Sequence, residues 1–134
     1  MKTKLAIFAA GIAVMLAGVP MVAHHSFAAE FDSAKTIKLT GVVTKIEWMN
    51  PHAYFYIDVT DPAGKVANWG LEMGSPNGLM RQGWTRNSLK VGDMISVEGY
   101  MAKDGSKLAN ARTVKLSDGR KVFAGSTTDG GPTK

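Results

Sequence analysis

Three histidines carry the strongest chemical signal in this chain: His24, His25 and His52. Imidazole is the commonest protein metal ligand and the side chain that titrates nearest neutral pH. His24 and His25 follow Met21-Val22-Ala23, a small-residue site at which an export signal can be cut. Cleavage after Ala23 makes His24 the first residue, and its free amine and ring Nδ1 then form a chelate. One further imidazole, from His25 or His52, completes the planar three-nitrogen set that Cu(II) favours. The plainer reading stays open beside it: His24 and His25 form a frayed terminus that takes metal only adventitiously, and His52 caps a turn after Asn50-Pro51 or packs beside Tyr54. A closed zinc site fits less well, because three histidines without cysteine need a carboxylate to complete a tetrahedral set. Thioethers suit Cu(I), but alternation places Met73 and Met101 on inward faces, which leaves Met49, beside Trp48 and near His52, as the methionine of interest.

A second group reads as a binding surface. His52, Tyr54, Tyr56 and Asp58 share one face of an alternating segment, and aromatic rings there can stack on a ligand or simply pair across strands. Trp84, between Arg81 and Arg86, is placed to cover the mouth of a barrel with a cation near its indole. Catalysis by side chains is not expected. Ser26, Ser75, Ser88, Ser96 and Ser106 occupy cap, turn or surface contexts with no partner base, and Asp58 and Asp61 flank a turn.

The start of the chain explains why cleavage matters. Lys2 and Lys4 precede an apolar run from Leu5 to Val19, and Pro20 breaks it. The run falls short of the roughly 20 residues that span a bilayer, so residues 1–23 read as a signal peptide, with no stable membrane insertion once it is removed. A rival cut after Ala28 would discard both leading histidines. The expected location is the periplasm or outside the cell. Loss of Lys2 and Lys4 lowers the formal charge of +5 by two units. The remaining basic residues are scattered, without the patch that marks a nucleic-acid binder, so the expected partners are a copper ion or a protein, and no nucleic acid. With no cysteine, an exported fold must hold by packing alone.

Positioning these residues requires a β-rich domain. Apolar alternation marks a strand over Thr36 to Trp48, with Ile37 and Leu39 on one face and Val42, Ile46 and Trp48 on the other. Gly41, at the switch of parity, suggests a bulge or bend. Strand two runs from His52 to Thr60 and strand three from Lys65 to Met73, joined by the turn Asp61-Pro62-Ala63-Gly64. Ser75 can cap a two-turn helix that has Pro76 in its first turn. Met94 to Ala102, Lys107 to Leu116 and a short Lys121 to Ala124 segment complete the strands. The order predicts an all-β fold with one short helix: an OB-fold-like five-stranded Greek-key barrel, with a small β-sandwich as the alternative. The domain layout is then a signal at 1–23, an N-terminal extension at 24–35, the barrel at 36–125 and a disordered tail at 126–134, where small polar residues bury too little surface to offset ordering entropy.

The segments from His24 to Asp32 (HHSFAAEFD), from Gly41 to Ala53 (GVVTKIEWMNPHA) and from Gly74 to Asn77 (GSPN) together resemble a family of small exported proteobacterial proteins catalogued as a domain of unknown function. The resemblance covers His24 to about Gly125. It implies an exported, OB-like domain and supplies no reaction, ligand or catalytic residue. A looser similarity links the chain to the periplasmic haem chaperone of cytochrome c maturation, another OB-like barrel. That family's haem-attaching histidine lies near the carboxyl end of the barrel, whereas no histidine follows His52 here, so fold analogy carries no activity across. The reading that results is a non-enzymatic periplasmic accessory protein binding copper through its N-terminal histidines. The alternative is a metal-free module docking a protein or small ligand through Tyr54 and Tyr56 or the Trp84 region.

Overall fold

A computed structural model of the chain describes residues 26–133, so residues 1–23, expected to be a signal, and both leading histidines, His24 and His25, lie outside the described residues. Within them the elements run α1 (Phe27–Glu30), β1 (Phe31–Glu47), β2 (Tyr54–Thr60), β3 (Val66–Glu72), α2 (Pro76–Arg81), β4 (Met94–Ala102), β5 (Leu108–Lys115) and β6 (Lys121–Phe123). Alternation located β4 to the residue. β1 begins earlier than the apolar pattern alone suggests, at Phe31, because Ser33 to Thr36 are exposed on both faces and leave no alternation to read.

The long first strand serves two partners. Its first part pairs antiparallel with β4, ending at Val42↔Met94, and its last part pairs antiparallel with β2, from Val42↔Asp58 to Glu47↔Tyr54. β2 and β3 form a hairpin, β4 pairs antiparallel with β5, and β3 runs parallel to β5 over Gly70–Glu72. These pairings close a ring in the order β1, β2, β3, β5, β4 and back to β1. That is the OB-like order, with α2 between the third and fourth strands and β6 added on the far side of β5. Two sheets packed face to face, the sandwich alternative, would leave β3 and β5 unpaired.

The parity switch in β1 falls three residues later than Gly41. Leu39, Gly41 and Val43 all face inward, and the register shift lies between Val43 and Lys45, where Thr44 is the extra residue. Beyond it Ile46 and Trp48 pack against the core. The Thr44 hydroxyl fixes the bulge by donating to the Tyr56 carbonyl and accepting from the Asn68 amide. Gly41 has a different reason to be glycine: a Cβ there would run into the Asp58 backbone carbonyl, where β1 crosses from β4 to β2.

The interior is apolar and closely packed. Phe55, Ile57, Leu71, Ile95, Val97 and Val114 are each at most 1% exposed. Full burial of such side chains stabilises by about 1.5–3 kcal/mol each. α2 closes one side: Ser75 Oγ accepts the Gly78 N–H at 3.2 Å, Pro76 opens the first turn, and Leu79 is fully buried.

The C-terminal segment makes specific contacts on the outside of β5, where Asp129 pairs with Arg112 at 3.1 Å and the Ser126 carbonyl accepts from the same guanidinium. It docks through an ion pair and backbone groups rather than apolar side chains, contacts that composition does not reveal. Phe27 and Phe31 form a second small cluster with Ala102, and the Phe27 N–H donates to the Asp129 carbonyl at 2.9 Å. The extension and the tail are thus part of the fold.

Candidate functional site

The sequence-selected face opens where the chain enters β2. The Met73 N–H donates to the Ala53 carbonyl at 2.8 Å and the Ala53 N–H to the Gly74 carbonyl at 3.0 Å, which carries the β2–β3 pairing past its last ladder position and places His52 beside the end of β3. His52 Nδ1 lies 2.9 Å from the Met73 carbonyl oxygen. A carbonyl only accepts, so Nδ1 carries a proton, and in its neutral form the ring has its lone pair on Nε2.

Next to it sits a buried carboxylate. Glu72 is 6% exposed, with Oε1 3.9 Å from His52 Nδ1. The Tyr54 hydroxyl donates to Glu72 Oε2 at 2.7 Å, and the amide of Asn110, itself buried on β5, donates to Oε1 at 3.3 Å. Burial is the main cause that raises the Glu72 carboxyl above the usual carboxylate range. The Tyr54 hydrogen bond, His52 and Asn110 pull it back, and the charge of Glu30 adds to the rise. Tyr54 is held well above the ordinary phenol value, first by burial and then by its hydrogen bond to Glu72.

Tyr56 lies two residues further along the same face. Its hydroxyl donates to Glu47 Oε2 at 3.1 Å, and the Lys45 ammonium stands 5.3 Å from its ring centre. Lys45 also pairs with Glu47, and that hydrogen bond is the main cause lowering the Glu47 carboxyl. Both tyrosine hydroxyls are therefore tied to carboxylates of this chain.

The structure brings His52 and Tyr54 together through Glu72 and keeps Tyr56 adjacent. Trp84 belongs elsewhere. It is 2% exposed and its indole N–H donates to the Phe123 carbonyl at 2.7 Å, so it packs as core under α2 and does not offer its ring to a partner. Met73 is buried as expected, and Met49 is half exposed.

Glu72 and Asn110 were not singled out from the sequence. Glu72 was within reach of it: Thr60↔Val66 closes the hairpin, and counting back along both strands puts Tyr54 opposite Glu72. Asn110 was not, because it arrives through the parallel pairing Glu72↔Asn110, which no local turn specifies. Among the described residues no three histidine, aspartate or glutamate side chains form a group able to hold a metal ion, and no helix is long and apolar enough to cross a membrane.

The model of a family of unknown function (DUF6152) matches residues 12–111. No curated protein sequence matches the chain. Among solved structures, the chain is similar to the mitochondrial single-stranded DNA binding protein Rim1 of S. cerevisiae, at a TM-score of 0.48 and 10% identity, covering 61% of this chain and 92% of that one. It is also similar to the dimeric N-terminal domain of the PriB protein from Thermoanaerobacter tencongensis, at a TM-score of 0.44 and 18% identity, covering 62% of this chain and 96% of that one.

Proposed function

The chain belongs to the family of unknown function (DUF6152), so its role has to come from its own residues, and we propose that it is an exported, non-enzymatic accessory protein that takes up Cu(II). His52 supplies an imidazole oriented by the fold, and His24 and His25 supply the remaining nitrogens after signal removal. The periplasm, or the space outside the cell, is where it works.

The observation that carries this reading is the hydrogen bond from His52 Nδ1–H to the Met73 carbonyl. Metal-binding histidines commonly donate their other ring N–H to a carbonyl or carboxylate, which fixes the ring and leaves the second nitrogen for the metal. One further point supports it: Glu30, the last residue of α1, lies near enough to Tyr54 and Glu72 to raise both pKa values, which sets the end of α1 on the same side as His52.

The test begins with mass spectrometry of the processed protein, which should start at His24. Cu(II) titration should then give one equivalent, weakened at least tenfold in His52→Ala and in His24→Ala/His25→Ala. A mature chain starting at Ala29, or variants that bind as tightly as the parent, would overturn the copper reading and favour a metal-free module acting through its Tyr54 and Tyr56 face.

A further inference from the structure

The C-terminal segment fills a slot built around one buried cation. Arg112 is the extra residue of β5 where its register against β4 shifts, between Ala111↔Gly99 and Thr113↔Glu98. Its guanidinium lies between two rings, 4.8 Å from the Phe27 centre and 5.9 Å from that of Phe123. The Arg112 and Asp129 side chains are only 3% and 6% exposed. A cation held this way needs an acidic partner, because an unpaired buried charge is costly.

Each contact in the slot recognises a different feature of the segment. The Asp129 carboxylate meets Arg112, and the Asp129 carbonyl accepts the Phe27 N–H at 2.9 Å. The Ser126 carbonyl accepts from Arg112 Nη1 at 3.1 Å. Position 131 has to be glycine, because a Cβ there would run into Arg112 Nη2 and the Phe27 ring. None of these contacts uses an apolar side chain. What the slot recognises is an extended backbone with an aspartate followed two places on by glycine, and any peptide carrying those groups can make the same contacts.

The tail fills the slot incompletely. Both Asp129 oxygens bind Arg112 Nη2, at 3.1 and 3.3 Å, and the buried Nε has no acceptor among the described residues. A guanidinium takes a carboxylate best as a fork, one oxygen on each of two N–H groups, and a buried donor left unmet is costly. A carboxylate set across Nε and Nη2 gains a bond that Asp129 does not make. We propose that this slot is a docking site for an acidic peptide segment of a partner protein, an aspartate followed two places on by glycine, and that the chain's own tail is its resident stand-in. Charge selects that occupant, since the slot presents a guanidinium to whatever replaces Asp129, the mode by which arginines recognise acidic motifs. Copper and the histidines play no part in it.

The probe is a labelled synthetic peptide of residues 126–134 (STTDGGPTK), added to the processed protein and followed by fluorescence anisotropy. In the parent the tethered tail competes at an effective concentration of about millimolar, so the peptide should bind weakly. Asp129→Asn loosens the tail by removing its charge and Gly131→Ala by crowding Arg112 and Phe27. Either variant should bind the peptide at least about 10-fold more tightly than the parent does. Peptides that carry Asp129→Asn or Gly131→Ala should bind those variants at least about 10-fold more weakly than the unaltered peptide. The Arg112 Nε–H resonance should shift as the peptide saturates. A tail that is only structural lowers the melting temperature when loosened and leaves no slot for an added peptide. The proposal is overturned if the variants, folded by their melting curves, bind no peptide, or if the Asp129→Asn peptide binds as well as the unaltered one. Where a variant does not fold, the parent decides: peptide at about millimolar concentration that leaves its Arg112 resonance unmoved overturns the proposal as well.

Discussion

Replacing Tyr54 by phenylalanine removes one hydroxyl and keeps the ring, which isolates the bond that restrains Glu72. That bond is 2.7 Å long and ends on a carboxylate that is 6% exposed. Hydrogen bonds to charged groups contribute about 1.5–3 kcal/mol and neutral ones about 0.5–1.5 kcal/mol. Because Tyr54 is only half-buried, the expected loss above the folded pKa of Glu72, where the carboxyl is ionised, is at the low end, about 1.5–2 kcal/mol. At pH 4, where Glu72 holds its proton, about 0.5–1 kcal/mol should be lost. The sign follows from linkage. Burial raises the folded carboxyl above its ordinary value of 4.5, so the contribution of Glu72 to stability is fully present below that value and is lost as pH rises through the folded pKa. Removing the hydroxyl takes away a cause that lowers this pKa and steepens the loss. Urea unfolding of the metal-free protein across a pH series, followed by tryptophan fluorescence, should show the midpoint falling by roughly 1–2 M once Glu72 is ionised, and by about half as much at pH 4, for an m-value near 1–1.5 kcal/mol/M. Equal losses at the two ends of the series would refute the claim that the hydroxyl restrains a buried charge.

Gly41→Ala should destabilise the ring by about 2 kcal/mol or more, because the added carbon meets the backbone of Asp58 and not a movable side chain. Thermal unfolding should register this as a fall of about 8 °C or more, and a change within about 2 °C would mean that β1 can shift at the crossover. Trp84→Phe strips the Phe123 carbonyl of its donor and should cost about 1–3 kcal/mol while leaving Cu(II) affinity unchanged. A Cu(II) effect without a stability effect would return Trp84 to the binding surface.

How far the sequence reached differs by element. Strand positions were legible because alternation is a local property: Ile95, Val97, Phe55 and Ile57 face inward as the pattern requires, and Ser75-Pro76 announced α2. The bulge was misplaced at Gly41 because glycine marks both bulges and close backbone approaches. Here it marks the approach, while Thr44 forms the bulge without needing glycine. Trp84, flanked by arginines, looked exposed because a flanking pattern in a loop does not say which way the ring turns.

Chain order and apolar period alone thus settled the later strands, which of their faces turn inward, and that the order is OB-like. Long-range pairing decided the rest. The parallel β3–β5 contact delivers Asn110 to Glu72, and Arg112 meets Asp129 across seventeen residues of turn and strand. Neither pairing leaves a periodic trace, since each depends on where the ring closes, and closure is a balance of distant contacts against chain entropy that no short window of residues encodes.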